Sequence, residues 1–426
     1  MAAAMQPGNR KANSCQRGLD MKLISREISF PQTDPRYPTY ESAGYASASG
    51  QEMIRLRYEE LDCDIFDNYA IALSSDNGRT WTEHERWPAG RKLPEGTRRA
   101  MWSTGLPDPN TRRLVLTGKE GVFRHDNSLE GMTHYCPYYR VSEDAGRTWS
   151  VYEPIIQDGE EYTVEHPCRG VNVGRNSVTP ANAEIFTADN RLLVPCNVST
   201  VGPDGHYFLP EGAYTYTAGG VLVGTWRDDG RLDWDFSQLV KLEPEKSIRG
   251  AVEPTLAEMP DGRILMVLRA NAGTSPEYSE RRKWHCISTD GGYTWDEPRP
   301  WSYTDGSLFY SPSSISRLIR HSNGRCYWIG NITDERLDQH LGGNGPRYPL
   351  VIGRVDPQNL LLERDTLCII DTRGEGDSPV LQLSNFNVYE DRLSGEFVIR
   401  MTRWNGGCPW NDEATDASVY LYRLQP

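Results

Sequence analysis

Five carboxylates crowd twelve residues in YEELDCDIFDNY, positions 58–69: Glu59, Glu60, Asp62, Asp64 and Asp67. Like charges held together raise the proton affinity of one of them, and a carboxylic acid still protonated near neutral pH can protonate a leaving oxygen. The same oxygens could hold calcium. No motif requires a metal, however, and the cluster is read as metal-free, with no cofactor expected. A second set joins imidazole to guanidinium and amide groups. THYCPYYR brings His134 beside Tyr135, and VEHPCRGVNVGRNS brings His166, Arg169, Arg175 and Asn176. A third is EPTLAEMPDGRILMVLR, where Glu253 and Arg269 stand sixteen residues apart across a turn signal and could close an ion pair. The insert STVGPDGHYFLPEGAYTYTAGG, positions 199–220, offers Tyr, Phe and Pro faces suited to stacking against sugar rings.

Such scattered residues meet only if a repeating scaffold gathers them, and the chain repeats. SSDNGRTW (74–81), SEDAGRTW (142–149) and STDGGYTW (288–295) share Ser-x-Asp-x-Gly-x-Thr-Trp. WRDDGRLDW is a degenerate copy around Asp229, and GRVDPQNLL a weaker echo around Asp356. Each box follows a strand-like run, its Asp and Gly allow a tight turn, and its Trp can plug the gap between neighbouring sheets. A second series of turn signals, at Gly50, Asn110, Asn190, Asp261, Asn323 and Ser394, recurs about one box interval apart and precedes runs such as RILMVLRA and RCYWIGN.

Six turns mean six repeats, each long enough for four strands. The expected fold is all-β, a six-bladed β-propeller occupying residues 22–426 as one domain, with a linear β-solenoid as the alternative. LISREISF near the N-terminus and ASVYLYRL near the C-terminus could share one blade and close the ring. The innermost strand of each blade should precede its hairpin turn. Arg36, Glu41, Asn176, Glu253 and Ser384 are then the notable polar residues facing a central funnel.

Composition excludes other classes. A net charge of −13 argues against nucleic acid as a partner. A mean hydropathy of −0.63, without a long apolar run, argues against a membrane span. Nine scattered cysteines without a CxxC pair suggest buried thiols rather than zinc ligands. Residues 1–21 are polar, lack the apolar stretch of a secretory signal, and read as a disordered arm, so a cytoplasmic location is expected.

The boxes on a six-bladed ring resemble the Asp boxes of the sialidase (neuraminidase) superfamily. That resemblance implies three arginines gripping a substrate carboxylate, since guanidinium forks donate paired charge-assisted bonds and stay charged. By position they would be Arg36 in RYP, Arg269 sixteen residues after Glu253, and Arg347 in GPRYPLVIGRV. The resemblance further implies an acid/base aspartate upstream of the first box, Asp62 with Asp64 beside it, and Glu253 as activator of a tyrosine nucleophile. The segment LSNFN (383–387), where that tyrosine belongs, contains none; Tyr389 comes later, and Tyr348 and Tyr310 belong to the preceding blade. His134, His166 and Asn176 would furnish the pocket.

The leading expectation is an exo-glycoside hydrolase acting on a terminal acidic sugar of a glycan. A lyase acting on uronate-containing glycans, with a His or Tyr base, and a non-catalytic carbohydrate-binding propeller are the alternatives.

Overall fold

The computed structural model describes residues 21–62, 64–181, 183–333, 344–404 and 417–426. All but the last residue of the expected N-terminal arm lies outside them.

Six antiparallel sheets form the ring. Blade 1 steps outward through Thr39–Tyr45, Met53–Asp62, Ile65–Ser74 and Thr82–Trp87. Blade 2 begins with an interrupted inner strand, Gly96–Trp102 and Leu106–Pro107, and continues through Leu114–Phe123, Cys136–Ser142 and Val151–Pro154. Blade 3 begins likewise with Val178–Pro180 and Ile185–Phe186, then runs Leu192–Ser199, Thr217–Trp226 and Leu232–Phe236. Blade 4 is Val252–Glu258, Ile264–Arg269, Trp284–Ser288 and Arg299–Pro300. Blade 5 is Arg317–Arg320, Cys326–Asn331, Leu350–Val355 and Cys368–Asp371. Blade 6 takes Phe386–Glu390, Phe397–Thr402 and Val419–Gln425 from the C-terminal end and its outermost strand, Lys22–Phe30, from the N-terminal end.

Antiparallel connectivity sorts the loops. All six turn signals join first to second strands, and all boxes join third to fourth strands, so both sets emerge at one end of the ring. The second-to-third loops and the blade-to-blade linkers must therefore emerge at the other end. There they surround the funnel.

The boxes are fasteners. In the first, Asp76 accepts bonds from the Thr80 amide (2.9 Å) and the Thr80 hydroxyl (2.6 Å), while Ser74 Oγ accepts from the Gly78 amide (3.0 Å). Asp144 and Asp290 repeat the pattern. The box glycines Gly78, Gly146 and Gly292 adopt φ of +75°, +87° and +95°, where a side chain is strained. Trp149 packs into the cluster between blades 1 and 2, and Trp295 into that between blades 3 and 4, as gap plugs should.

Five apolar clusters fill the gaps from blade 1/2 round to blade 5/6. The gap where blade 6 meets blade 1 is bonded differently. Glu41, its side chain wholly buried, receives Arg400 from blade 6 and Arg57 (2.6 Å) from its own blade, with Arg55 at 3.7 Å. Asn387 Oδ1 accepts the Ala43 amide at 2.9 Å, and Thr402 Oγ1 donates to the Thr39 carbonyl at 2.6 Å. Burial would push the Glu41 carboxyl up, but Arg400, Arg55 and Arg57 outweigh it and hold the group below its ordinary range. Glu41 therefore serves ring closure rather than the funnel.

Removing Glu41 strands buried guanidinium charge, and breaking one side of such a pair costs about 3–5 kcal/mol. Glu41→Ala should lower the urea midpoint accordingly. Because the folded carboxyl titrates below its unfolded value, this stabilisation is present above the ordinary glutamate range and is lost as pH falls through the depressed value. An unchanged midpoint at pH 7 would show that closure does not depend on this carboxylate.

Candidate active site

At the funnel end, three guanidinium groups from different elements converge. Arg249 comes from the linker into blade 4, Arg269 from the end of that blade's second strand, and Arg347 from the loop before the third strand of blade 5. Asn344 gathers them. Its Oδ1 lies 3.5 Å from both Arg249 Nη1 and Arg269 Nη2, and its carbonyl accepts Arg347 Nε at 2.8 Å. The remaining bonds fix the forks: Arg269 Nε to Ser313 Oγ (3.0 Å), Arg347 Nη1 to Gln382 Oε1 (2.7 Å), Arg249 Nη2 to Thr215 Oγ1 (2.5 Å).

Among the described residues, the only carboxylate bonded to the three is Glu253, which accepts Arg269 Nη1 at 2.7 Å. Among the described residues, Glu253 is bonded to the cluster and the Asp64 charge also acts on Arg249 and Arg347. Arg249 is 8% exposed, and its Nε finds no acceptor among the described residues. Burial, reinforced by the neighbouring Arg269 charge, brings Arg249 and Arg347 down to about 10. They remain cationic at neutral pH, at a cost that an incoming anion would relieve. Burial alone would raise Glu253, but Arg269, then Arg249 and Arg347, hold it ionised.

Glu253 opens the inner strand of blade 4 at φ +43°, its amide tied to Asn197 Oδ1 at 2.6 Å. Asp64 and Asn385 also adopt left-handed backbone, both at φ +54°. Non-glycine residues held in that region store strain and tend to mark functional sites. Behind Arg269 lies Lys283, fully buried; burial and the adjacent arginines push its ammonium well below the ordinary lysine value.

Opposite, blade 1 contributes Asp64, Glu60 and Tyr40. Asp64 lies close enough for its charge to act on Lys119, Arg249 and Arg347. Its amide donates to Glu60 Oε1 at 3.1 Å, and Tyr40 Oη donates to Glu60 Oε2 at 2.7 Å. Burial pushes the Glu60 carboxyl up to about 7; the Tyr40 bond opposes this and the Asp64 charge adds to it. The Tyr40 ring closes a ladder across all four strands of the blade. It stacks on Tyr58 at 5.5 Å, Tyr58 on Tyr69 at 5.0 Å, and Tyr69 on Trp87 at 5.6 Å.

The structure thus brings together Glu253, Arg269, Arg347 and Asp64. Asp62 stands at the end of its strand, exposed, two residues from Asp64. Arg36 does not join them. An Asx turn captures it: Asp34 Oδ1 accepts both its amide and its Nε at 3.0 Å, and Asp34 Oδ2 accepts Nη2 at 2.7 Å, leaving the Arg36 side chain 72% exposed. Asn176 is buried and spent on its own linker, its amide donating to the Gly170 and Ser199 carbonyls at 2.9 Å. His166 Nδ1 bonds the Val171 carbonyl within the same loop. His134 Nδ1 bonds Thr133 Oγ1 at 2.7 Å and the Glu130 carbonyl at 3.2 Å, within its own turn.

Arg249, Tyr40, Glu60 and Lys119 escaped the sequence reading, although Glu60 lies inside the acidic run and Tyr40 inside the first inner strand. Tyr389 lines a cavity of about 520 Å³ at the other end of the axis, together with Tyr45, Leu106, Phe186 and Leu256. That cavity opens among the first-to-second turns and holds none of the arginine cluster. Among the described residues, no three His, Cys, Asp or Glu side chains are grouped to hold a metal ion.

Comparison with known proteins agrees with this architecture. Residues 67–378 match the BNR repeat-like domain. No curated protein sequence matches the chain. A Dyadobacter fermentans protein of unknown function superposes with a TM-score of 0.57 at 14% identity, covering 95% of this chain and 99% of that one. The NanB sialidase of Streptococcus pneumoniae gives 0.56 at 13% identity, covering 92% and 70%. An α-L-arabinofuranosidase of Fusarium graminearum, solved with an iminosugar inhibitor, gives 0.54 at 14%, covering 94% and 98%. At these identities the likeness is one of fold. The family match spans most of the ring, and the chain belongs to the BNR repeat-like domain family, built on a six-bladed propeller of sialidase type.

Proposed function

We propose that this protein is a glycoside hydrolase that removes a terminal, carboxylate-bearing sugar from a glycan. The observation that carries this reading is the convergence of Arg249, Arg269 and Arg347 on Asn344, with Glu253 the one carboxylate bonded to the three among the described residues. A site where three buried guanidinium groups direct donors at one residue favours a planar anion. A sugar carboxylate would take the place of the Asn344 side-chain oxygen, whose 3.5 Å contacts are long for hydrogen bonds. Asp64, with Asp62 beside it, would protonate the leaving oxygen. Sialidases among the solved structures of like fold support this substrate class.

The lyase alternative relied on a histidine or tyrosine base. Both His134 and His166 bond their own loops through Nδ1, which weighs against a histidine base.

The test is a screen of methylumbelliferyl glycosides of sialic and uronic acids, together with uronate-containing oligosaccharides. Fluorophore release without an unsaturated product absorbing in the near ultraviolet is expected. An unsaturated product would establish elimination instead, and tight glycan binding without turnover would establish a lectin.

Charge-assisted hydrogen bonds contribute about 1.5–3 kcal/mol each. Losing a two-bond fork should therefore lower kcat/KM roughly a hundred- to ten-thousandfold in Arg269→Ala or Arg347→Ala. Arg36→Ala, at the solvent-exposed Asx turn, should keep the wild-type rate. Steady-state kinetics on the best substrate decides: an unimpaired Arg269→Ala enzyme ends the assignment.

A further inference from the structure

We propose that the cavity at the other end of the axis is a second ligand site, separate from the funnel. It takes a small zwitterion with an apolar body, such as a branched or aromatic α-amino acid. Its volume of about 520 Å³ lies in the ordinary range of small-molecule pockets. The inner strands of the blades wall it, and they run from the funnel end towards the turns. Residues early in these strands therefore lie deep, and late ones stand at the mouth. Two charged groups lie deep: Glu184, just before Ile185–Phe186 of blade 3, and Arg317, which opens the inner strand of blade 5. Leu106, Ile185, Phe186, Leu256 and Val388 supply apolar walls.

The two deep charges select the ligand's polar end. Among the described residues Arg317 makes one hydrogen bond, from Nη1 to the Ala181 carbonyl at 3.3 Å. Glu184 likewise makes one, accepting the Thr117 hydroxyl of blade 2. The two form no ion pair, yet the Glu184 charge acts on Arg317. Opposite charges attract strongly where water is scarce, and here each is held by a neutral partner instead. An α-amino acid would satisfy both, its carboxylate accepting from the Arg317 fork and its ammonium donating to Glu184. Burial pushes the Arg317 guanidinium below its ordinary value, while the Glu184 charge and then the Glu253 charge oppose the shift. With its charge already balanced in this way, Arg317 suits a ligand of no net charge better than a simple anion.

Charged groups at the mouth are bound locally. Glu258 accepts the Ala188 amide and Glu390 the Ser322 amide, both at 2.8 Å, and Arg392 lies over the Tyr45 ring at 3.8 Å. Arg320, at the end of its strand, is exposed to water. Tyr45 of blade 1 and Tyr389 of blade 6 meet edge to face, 6.0 Å between centroids, and both line the cavity. An apolar side chain buried against these walls adds affinity that glycine would lack. The Glu253 charge reaches Arg317 from the funnel, but none of Arg249, Arg269 and Arg347 lines the cavity.

The test is isothermal titration calorimetry of the wild-type protein with L-phenylalanine and L-leucine. Saturable binding of at least one of them, a single molecule per chain, is the expected result. N-acetylphenylalanine lacks the ammonium and phenethylamine lacks the carboxylate, so each should bind about tenfold or more weakly than phenylalanine. Glycine should give no measurable heat. Arg317→Met and Glu184→Gln should each weaken binding by about tenfold or more, with the circular dichroism spectrum unchanged. A diazirine analogue of leucine, photolysed on the wild type and mapped by peptide mass spectrometry, should label the cavity walls around Leu106 or Phe186. No saturable binding of either amino acid, equal binding of either truncated ligand, full binding by a folded variant, or a label confined to the funnel overturns the proposal. The ligand series and the label use the unaltered protein, so they decide even if a variant misfolds. None of these readouts needs turnover, so the hydrolase reading stands or falls by its own assay.

Discussion

Everything at the funnel depends on the ring being shut. Six inner strands reach a common axis only if blade 6 presses against blade 1, and that seam is held by Glu41, a buried carboxylate bonded to Arg400 of the opposing blade and to Arg57 of its own. Apolar clusters between the other blades tolerate sliding, because dispersion and water exclusion have little direction. A charged cluster is different, since charge-assisted bonds fix both distance and angle. Placing it at the closing seam sets the register of the ring where an error would propagate to every blade. The same seam positions Tyr40, one residue before Glu41, and Asn385, two residues before Asn387.

The funnel is assembled by a second electrostatic imbalance. Buried guanidinium groups are normally matched by carboxylates, yet among the described residues Arg249, Arg269 and Arg347 have one bonded carboxylate, Glu253, with the Asp64 charge acting on two of them. The folded chain bears this cost, together with left-handed backbone at Asp64, Glu253 and Asn385, because packing elsewhere is extensive. Such stored cost is what a charged ligand can release on binding. It explains how a chain with net charge of −13 can present an anion seat: the local field overrides the global one.

The architecture was legible in the sequence because turns are local. An Asp-x-Gly box bonds within five residues, so its chemistry survives reading without coordinates, and the six turn signals all fell between first and second strands. The site was only partly legible. Glu253 and Arg269 could be read together because the family resemblance gives their spacing across one hairpin, and Arg347 because the same resemblance sets an arginine ahead of a blade 5 strand. Arg36 misled because the side chain two residues before it, Asp34, captures it in a local turn that competes with the funnel. Arg249 was hidden in a linker, where no periodicity points inward. Tyr40 and Glu60 lie on adjacent strands, Tyr40 directly opposite Tyr58, so their diagonal meeting shows only once the register of that pairing is known. Asn176 shows the reverse error, a polar residue whose every visible bond is structural.

The outermost strand of blade 6, Lys22–Phe30, pairs along its length with Val419–Gln425, almost four hundred residues away. During translation this early segment leaves the ribosome long before its partner exists. Five blades can assemble behind it while its amides remain unpaired and blade 6 lacks its edge. Contacts of such sequence separation form slowly, and an unsatisfied strand is a template for the wrong neighbour. The nascent chain is therefore exposed to mispairing until Val419–Gln425 has been made, and its quality in the cell turns on how that waiting strand is shielded.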